Sequence, residues 1–85
     1  MKEAAIPTPE TIRRMPIDSV RVLRRALTKA GLTVTTGGSH LRVETTDGVF
    51  VGTLPITPSD PHALRNCRAW LARRVGAMQA ERAGS

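Results

Sequence analysis

Within short segments between Leu32 and Leu54 the apolar residues recur mainly at alternate positions, and on both sides of that stretch they recur every third or fourth. This change of period constrains the fold more than any other feature. A period of two describes a strand with one buried face, and a period near 3.6 describes a helix with one buried stripe. Leu32-Thr33-Val34-Thr35-Thr36, His40-Leu41-Arg42-Val43-Glu44-Thr45 and Val49-Phe50-Val51-Gly52-Thr53-Leu54 read as three strands. Gly37-Gly38 breaks the first from the second. Asp47-Gly48, a strong signal for a two-residue hairpin, separates the second from the third. Tight turns leave only an antiparallel meander.

The flanking segments are amphipathic. From Val20 to Ala30, the residues Val20, Val22, Leu23, Ala26, Leu27 and Ala30 share one arc, and Arg21, Arg24, Arg25, Thr28 and Lys29 fill the other. Asp18 or Ser19 caps this helix, and Gly31 stands where a left-handed C-cap belongs. After the stiff loop Pro55-Ile56-Thr57-Pro58-Ser59, a second helix is capped by Ser59 or Asp60. Its seam is Leu64, Cys67, Leu71, Val75 and Met78, widened by Ala63 and Trp70. Arg65, Asn66, Arg68, Ala72 and Arg73 are expected to face away, and Gly76 is its weak point.

Neither helix can bury its stripe alone. Both must cover one face of the sheet, which gives a two-layer α+β domain of order α-β-β-β-α. The helices are expected near residues 18–30 and 60–75. The expected core includes Leu23, Leu27, Val34, Leu41, Val43, Leu64, Cys67 and Leu71. Residues 1–16 read as an N-terminal arm, with a short helix opened by Thr8-Pro9-Glu10 and an apolar stripe of Ile12 and Met15. The arm can pack on the domain, on a second copy as a homo-oligomer contact, or on nothing. Residues 17–79 read as the domain, and 80–85 as a frayed tail.

Charge supplies the first functional signal. The net charge is +6, and eleven of the thirteen basic residues are arginine. Residues 1–31 carry +4 and residues 60–85 carry +3, whereas residues 32–59 carry −1. Arginine forks onto two phosphate oxygens, so an acidic partner, nucleic acid or acidic protein, is expected. A single cysteine, Cys67, allows no internal disulfide, and no Cys/His cluster has metal-site spacing. No metal or other cofactor is called for. No apolar run is long enough for a membrane span, and a thiol-tolerant cytoplasmic setting fits.

Alternation turns Leu41 and Val43 toward the helices and His40, Arg42 and Glu44 toward the open face. Gly37-Gly38-Ser39 precedes them and offers a backbone that a phosphate can approach. This set suits RNA cleavage. An imidazole titrates near working pH and can take the proton of a ribose 2′-OH, Arg42 can stabilise the phosphorane-like charge, and Ser39 can hold a phosphate oxygen. No second histidine stands ready for the leaving group, because His62 lies in the first turn of the last helix. By spacing alone, His40 reads first as a polar residue on a solvated sheet face, and Glu44 reads as a cross-strand charge partner.

The succession of helix, Ala30-Gly31-Leu32, strand, Gly38-Ser39-His40, strand, Asp47-Gly48, strand, Leu54-Pro55 and helix resembles the HicA toxin family over about residues 18–75. The resemblance implies a double-stranded-RNA-binding-domain-like fold and an mRNA endoribonuclease that needs no metal. It further implies His40 as the catalytic residue and a HicB-like antitoxin as partner. On this reading the RNA-binding residues are Gly37, Gly38, Ser39 and Arg42, with Arg21, Arg24 and Arg25 of the first long helix. The chain departs from the family pattern at Leu41, where many relatives carry a second histidine or a basic residue. It departs again at Thr57-Pro58-Ser59-Asp60-Pro61, where many are Lys/Arg-rich. Those departures keep a second reading open: a non-catalytic binding module of the same fold, of phage or mobile-element type, acting on nucleic acid or on a host protein.

Overall fold

The computed structural model describes residues 6–56 and 61–84. Its elements are α1 (Pro9–Arg13), α2 (Val20–Lys29), β1 (Thr33–Gly37), β2 (His40–Glu44), β3 (Phe50–Pro55) and α3 (Pro61–Gly84). The expected loop and cap at residues 57–60 lie outside the described residues, as do residues 1–5 of the arm and Ser85.

Local chemistry sets the helix ends. Thr8 Oγ1 accepts from the Thr11 amide at 3.1 Å, with Pro9 at the first position of α1. Ser19, rather than Asp18, caps α2 by accepting from the Val22 amide at 3.2 Å. At the other end of α2, Gly31 takes φ +105°, a conformation that favours glycine. The Gly31 amide then donates to the Thr28 carbonyl and the Leu32 amide to the Leu27 carbonyl, each at 3.1 Å. This paired closure satisfies carbonyls that a helix end would otherwise leave open.

The three strands form an antiparallel sheet in the order β1-β2-β3. Leu23 and Leu27 of α2 and Leu64, Leu71 and Val75 of α3 are buried in one cluster with Val34, Leu41, Val43, Val51 and Leu54 of the sheet. Both helices therefore cover the same sheet face, and the fold is the two-layer α-β-β-β-α domain, like that of a small double-stranded-RNA-binding domain in its architecture. The strand register is the expected one. Leu41 and Val43 are buried, while His40 and Arg42 are exposed on the opposite face.

The second hairpin differs from expectation. The Thr45 amide donates to the Val49 carbonyl at 2.9 Å, so three residues, Thr46-Asp47-Gly48, form the loop rather than Asp47-Gly48 alone. The Gly48 amide closes a turn onto the Thr45 carbonyl at 3.0 Å, and Gly48 alone in this loop has positive φ. A two-residue turn of the expected type needs positive φ at both positions, and Asp47 does not adopt it. Instead the buried Thr45 hydroxyl donates to Asp47 Oδ1 and accepts from the Val49 amide. β3 then carries an extra residue opposite Val43 and Glu44: Gly52 pairs with Val43 and Phe50 with Glu44. This bulge lets Val51 and Gly52 both be buried.

The arm packs on its own domain. Ile12 and Met15 are buried in the common core. Along α3, Arg68, Ala72, Gly76 and Gln79 form a stripe at helical spacing against it. Arg68 Nη1 donates to the Met15 carbonyl at 2.7 Å, and Gln79 Nε2 donates to the carbonyls of Ile6 and Pro7 at 3.2 and 3.3 Å. A Cβ at Gly76 would lie 3.0 Å from Pro9 Cγ. Ala72 is fully buried and Arg68 half-buried, contrary to the outward direction expected of both, because α1 covers the side of α3 that the sheet leaves open. Cys67, placed in the core by its spacing, is only half-buried. The helix continues through residues 80–84, where fraying was expected. Gln79, Ala80, Glu81, Arg82 and Ala83 all favour helix, and the Gln79 bonds anchor its last turns.

Candidate nucleic-acid interface

The β1–β2 hairpin presents the first candidate site. Gly37 and His40 pair in register, so Gly38 and Ser39 form a two-residue turn. Gly38 takes φ +63° at the first central position, where such turns favour glycine. Nothing lies within 4 Å of a Cβ built on Gly38, so that side of the backbone is open. His40 follows on the exposed face. Its neighbours in register are Gly37, which has no side chain, and Pro55. The imidazole therefore stands at the end of the sheet beside bare backbone, with the Ser39 hydroxyl 3.3 Å from Nδ1.

Arg42 shares this face, but its guanidinium is turned away from His40. Nε donates to Glu44 Oε2 at 2.7 Å, and the guanidinium carbon lies 4.7 Å from the centroid of the Phe50 ring. Phe50 pairs with Glu44, four residues along β2 from His40. Glu44 is thus an ion-pair partner along its own strand rather than across strands, and a cation–π contact completes the arrangement. The strand brings the catalytic candidates to one face, while the side-chain contacts separate the positive charge from the imidazole.

The remaining predicted contacts lie elsewhere. Arg21, Arg24 and Arg25 are exposed and, with Thr28 and Lys29, line a shallow groove along the outer side of α2. Leu23 and Leu27 turn the other side of the helix to the sheet. The arginine face and the His40 face are therefore on opposite sides of the molecule, and one ligand reaches both only by wrapping around it.

Sequence reading missed a third surface. Phe50 and Thr53 of β3 and Asn66, Cys67 and Trp70 of α3 line a groove with Gly52 at its floor. A Cβ at Gly52 would lie 2.5 Å from Trp70 Cζ3, so the indole lies directly on the strand backbone. A lone glycine inside a strand is a signal of a bulge or of a close approach, and both occur here. Burial pushes the Cys67 thiol above its ordinary pKa.

Among the described residues, no three His, Cys, Asp or Glu side chains gather as a metal site, and no helix is long and apolar enough to cross a membrane. No protein-family model, curated protein or solved structure matches the chain.

Proposed function

We propose that this chain is an RNA-binding protein of HicA-like type that cleaves mRNA with His40 as general base. The observation that carries the reading is the exposed imidazole at the open Gly38-Ser39 turn, with Ser39 on Nδ1. With Nδ1–H donating to Ser39 Oγ, the basic lone pair is on Nε2. Nε2 takes the proton of a ribose 2′-OH, and the 2′-oxygen attacks phosphorus. The P–O5′ bond breaks, leaving a 2′,3′-cyclic phosphate, and the departing 5′-oxygen takes a proton from solvent. Amides of the glycine turn supply hydrogen bonds to the phosphate. The cytoplasm, where mRNA is exposed, is the matching compartment, and a HicB-like antitoxin covering the open sheet face is the matching partner.

The test compares wild type, His40→Ala and His40→Gln as purified proteins on a single-stranded RNA and as induced genes in growing cells. Cleavage and growth arrest should be lost in both variants while circular dichroism stays unchanged. Glutamine keeps a hydrogen bond but cannot accept the proton. Retained cleavage by folded His40→Gln would overturn the assignment.

A second reading, binding without cleavage, is favoured by the Arg42–Glu44 pair. The arginine that would stabilise the transition state is held by a carboxylate and a ring instead. Tight RNA binding by wild type with no cleavage product would select it.

A further inference from the structure

Among the described residues, the four exposed large apolar side chains converge on β3. Val49 precedes the strand, Phe50 begins it, Ile56 follows it, and Trp70 lies over Gly52 with 48% of its surface exposed. β3 is also an edge strand, since among the described residues the sheet ends with it. The groove of about 500 Å³ beside it joins Phe50 and Thr53, from the open face, to Trp70 and Cys67, from the helical layer. A groove touching both layers must run along the outer edge of β3.

The register shows which backbone groups that edge offers. The two-residue turn makes Gly37 and His40 a hydrogen-bonded pair, so residues 40 and 42 of β2 bond toward β1 and residues 41 and 43 toward β3. Their partners Leu54 and Gly52 bond inward, and Thr53 directs its N–H and C=O outward. Pro55 has no N–H, which limits the edge to a short pairing.

Charge selects the occupant. Among the described residues, no acidic side chain lines the groove. Arg73 and Arg74 flank Trp70 on one side, and Arg42 lies over Phe50 on the other, paired with Glu44. A second copy of a +6 chain brings the same charges and is repelled, whereas a carboxylate-bearing segment is attracted.

We propose that the β3 edge docks an extended, acidic segment of a partner protein as a fourth strand, with an apolar side chain of that segment seated between Trp70 and Phe50. Main-chain bonds to Thr53 supply the pairing, and the groove supplies side-chain selectivity. This surface is separate from the His40 turn and stands whether or not the chain cleaves RNA.

The experiment pans a random twelve-residue peptide library on the immobilised full-length protein, then titrates the selected peptides. Enriched peptides should alternate apolar residues with Asp or Glu, bind more weakly as salt rises, and shift the emission of Trp70. Trp70→Ala, Phe50→Ser and Thr53→Pro should each weaken binding tenfold or more, the last by removing one outward N–H. His40→Ala should bind as wild type, which separates this surface from the catalytic reading. If Thr53→Pro loses its fold by circular dichroism, Trp70→Ala and Phe50→Ser decide. Selected peptides without acidic enrichment, or unchanged affinity in folded Trp70→Ala, would overturn the proposal. So would a twelve-nucleotide oligouridine that quenches Trp70 and displaces the peptide, or a dimer in sedimentation that Trp70→Ala abolishes.

Discussion

Adding one methyl group at Gly52 tests the seat of Trp70 directly. In Gly52→Ala the new Cβ would stand 2.5 Å from Trp70 Cζ3, 2.8 Å from Leu71 Cδ2 and 3.0 Å from Trp70 Cε3. Carbon atoms in contact rest about 3.5–4.0 Å apart, so two side chains must each move by about 1 Å. They differ in their ability to do so. Trp70 is half exposed and can swing outward, at the loss of its contact with the strand. Leu71 is fully buried, and any retreat disturbs the core it shares with Val43 and Leu54. Overpacking of this kind costs about 1–3 kcal/mol. Alanine is favoured over glycine within a strand by roughly 0.5–1 kcal/mol, which offsets part of that cost. The net expectation is a destabilisation of about 1 kcal/mol, or a fall in melting temperature of about 4–8 °C for a domain of this size.

The assay is urea unfolding followed by circular dichroism, with emission from Trp70, the only tryptophan in the chain, reporting the ring's exposure. Emission of folded Gly52→Ala should shift to longer wavelength. Repeating the substitution in a Trp70→Ala background separates the two contacts. The ring's share of the cost should vanish, leaving only the Leu71 share and a positive coupling between residues 52 and 70. A Gly52→Ala protein as stable as wild type, or a cost identical in both backgrounds, would refute the argument that glycine is required there by the indole.

Three further outcomes follow from other contacts. Arg68→Ala removes the 2.7 Å bond to the Met15 carbonyl and should lower stability by about 1–2 kcal/mol, with faster amide hydrogen exchange at Ile12 and Met15; unchanged exchange there would show that the bond does not hold the arm. Burial raises the Cys67 pKa, so less thiolate exists at any given pH. Alkylation at pH 7.5 should therefore be slower than for a cysteine in a short peptide, and should accelerate as pH rises past the ordinary cysteine range; a rate equal to the peptide's would contradict this. Replacing Arg21, Arg24 and Arg25 by Ser should weaken RNA binding and flatten its salt dependence, since fewer counterions are displaced, whereas an unchanged slope in a filter-binding series would reduce that face to solvated surface.

The elements readable in the sequence are those whose period answers to one partner. β2 meets the helices on one side and solvent on the other, so alternation alone places Leu41 and Val43 inside and His40 and Arg42 outside. α2 likewise buries one stripe and exposes the other. α3 does not follow this rule. It meets the sheet on one side and α1 on another, so the fully buried Ala72 falls outside any single stripe. A small residue carries little hydrophobic signal, and its burial depends on what is brought against it. The arm was legible as a short capped helix, but its docking place rests on Gly76 and on the Arg68 and Gln79 side chains, which resemble a break and a solvated face when read along one helix. The hairpin length escaped for a similar reason. The buried Thr45 hydroxyl, with partners at Asp47 and Val49, outweighs the local preference of Asp47-Gly48.

The candidate site divides along the same line between position and direction. Position follows from backbone alternation, and it brings Ser39, His40 and Arg42 to one region of one face. Direction is set by side chains that compete for the same groups, and here Glu44 and Phe50 draw the Arg42 guanidinium toward the far end of β2. The Arg42–Glu44 pair is exposed enough that solvent screens it and its net contribution is small, at most about 1 kcal/mol. An RNA phosphodiester, with two non-bridging oxygens, or a transition-state phosphorane offers arginine a stronger, forked partner than one carboxylate oxygen. The pair therefore acts as a weak latch. If Arg42 takes part in RNA cleavage, it must leave Glu44 for the phosphate, and releasing it in advance with Glu44→Gln should raise RNA affinity. If the open face only binds, the same variant should change salt dependence and leave RNA intact. The two readings of the protein thus diverge at Glu44, a residue that neither of them uses to touch the scissile bond.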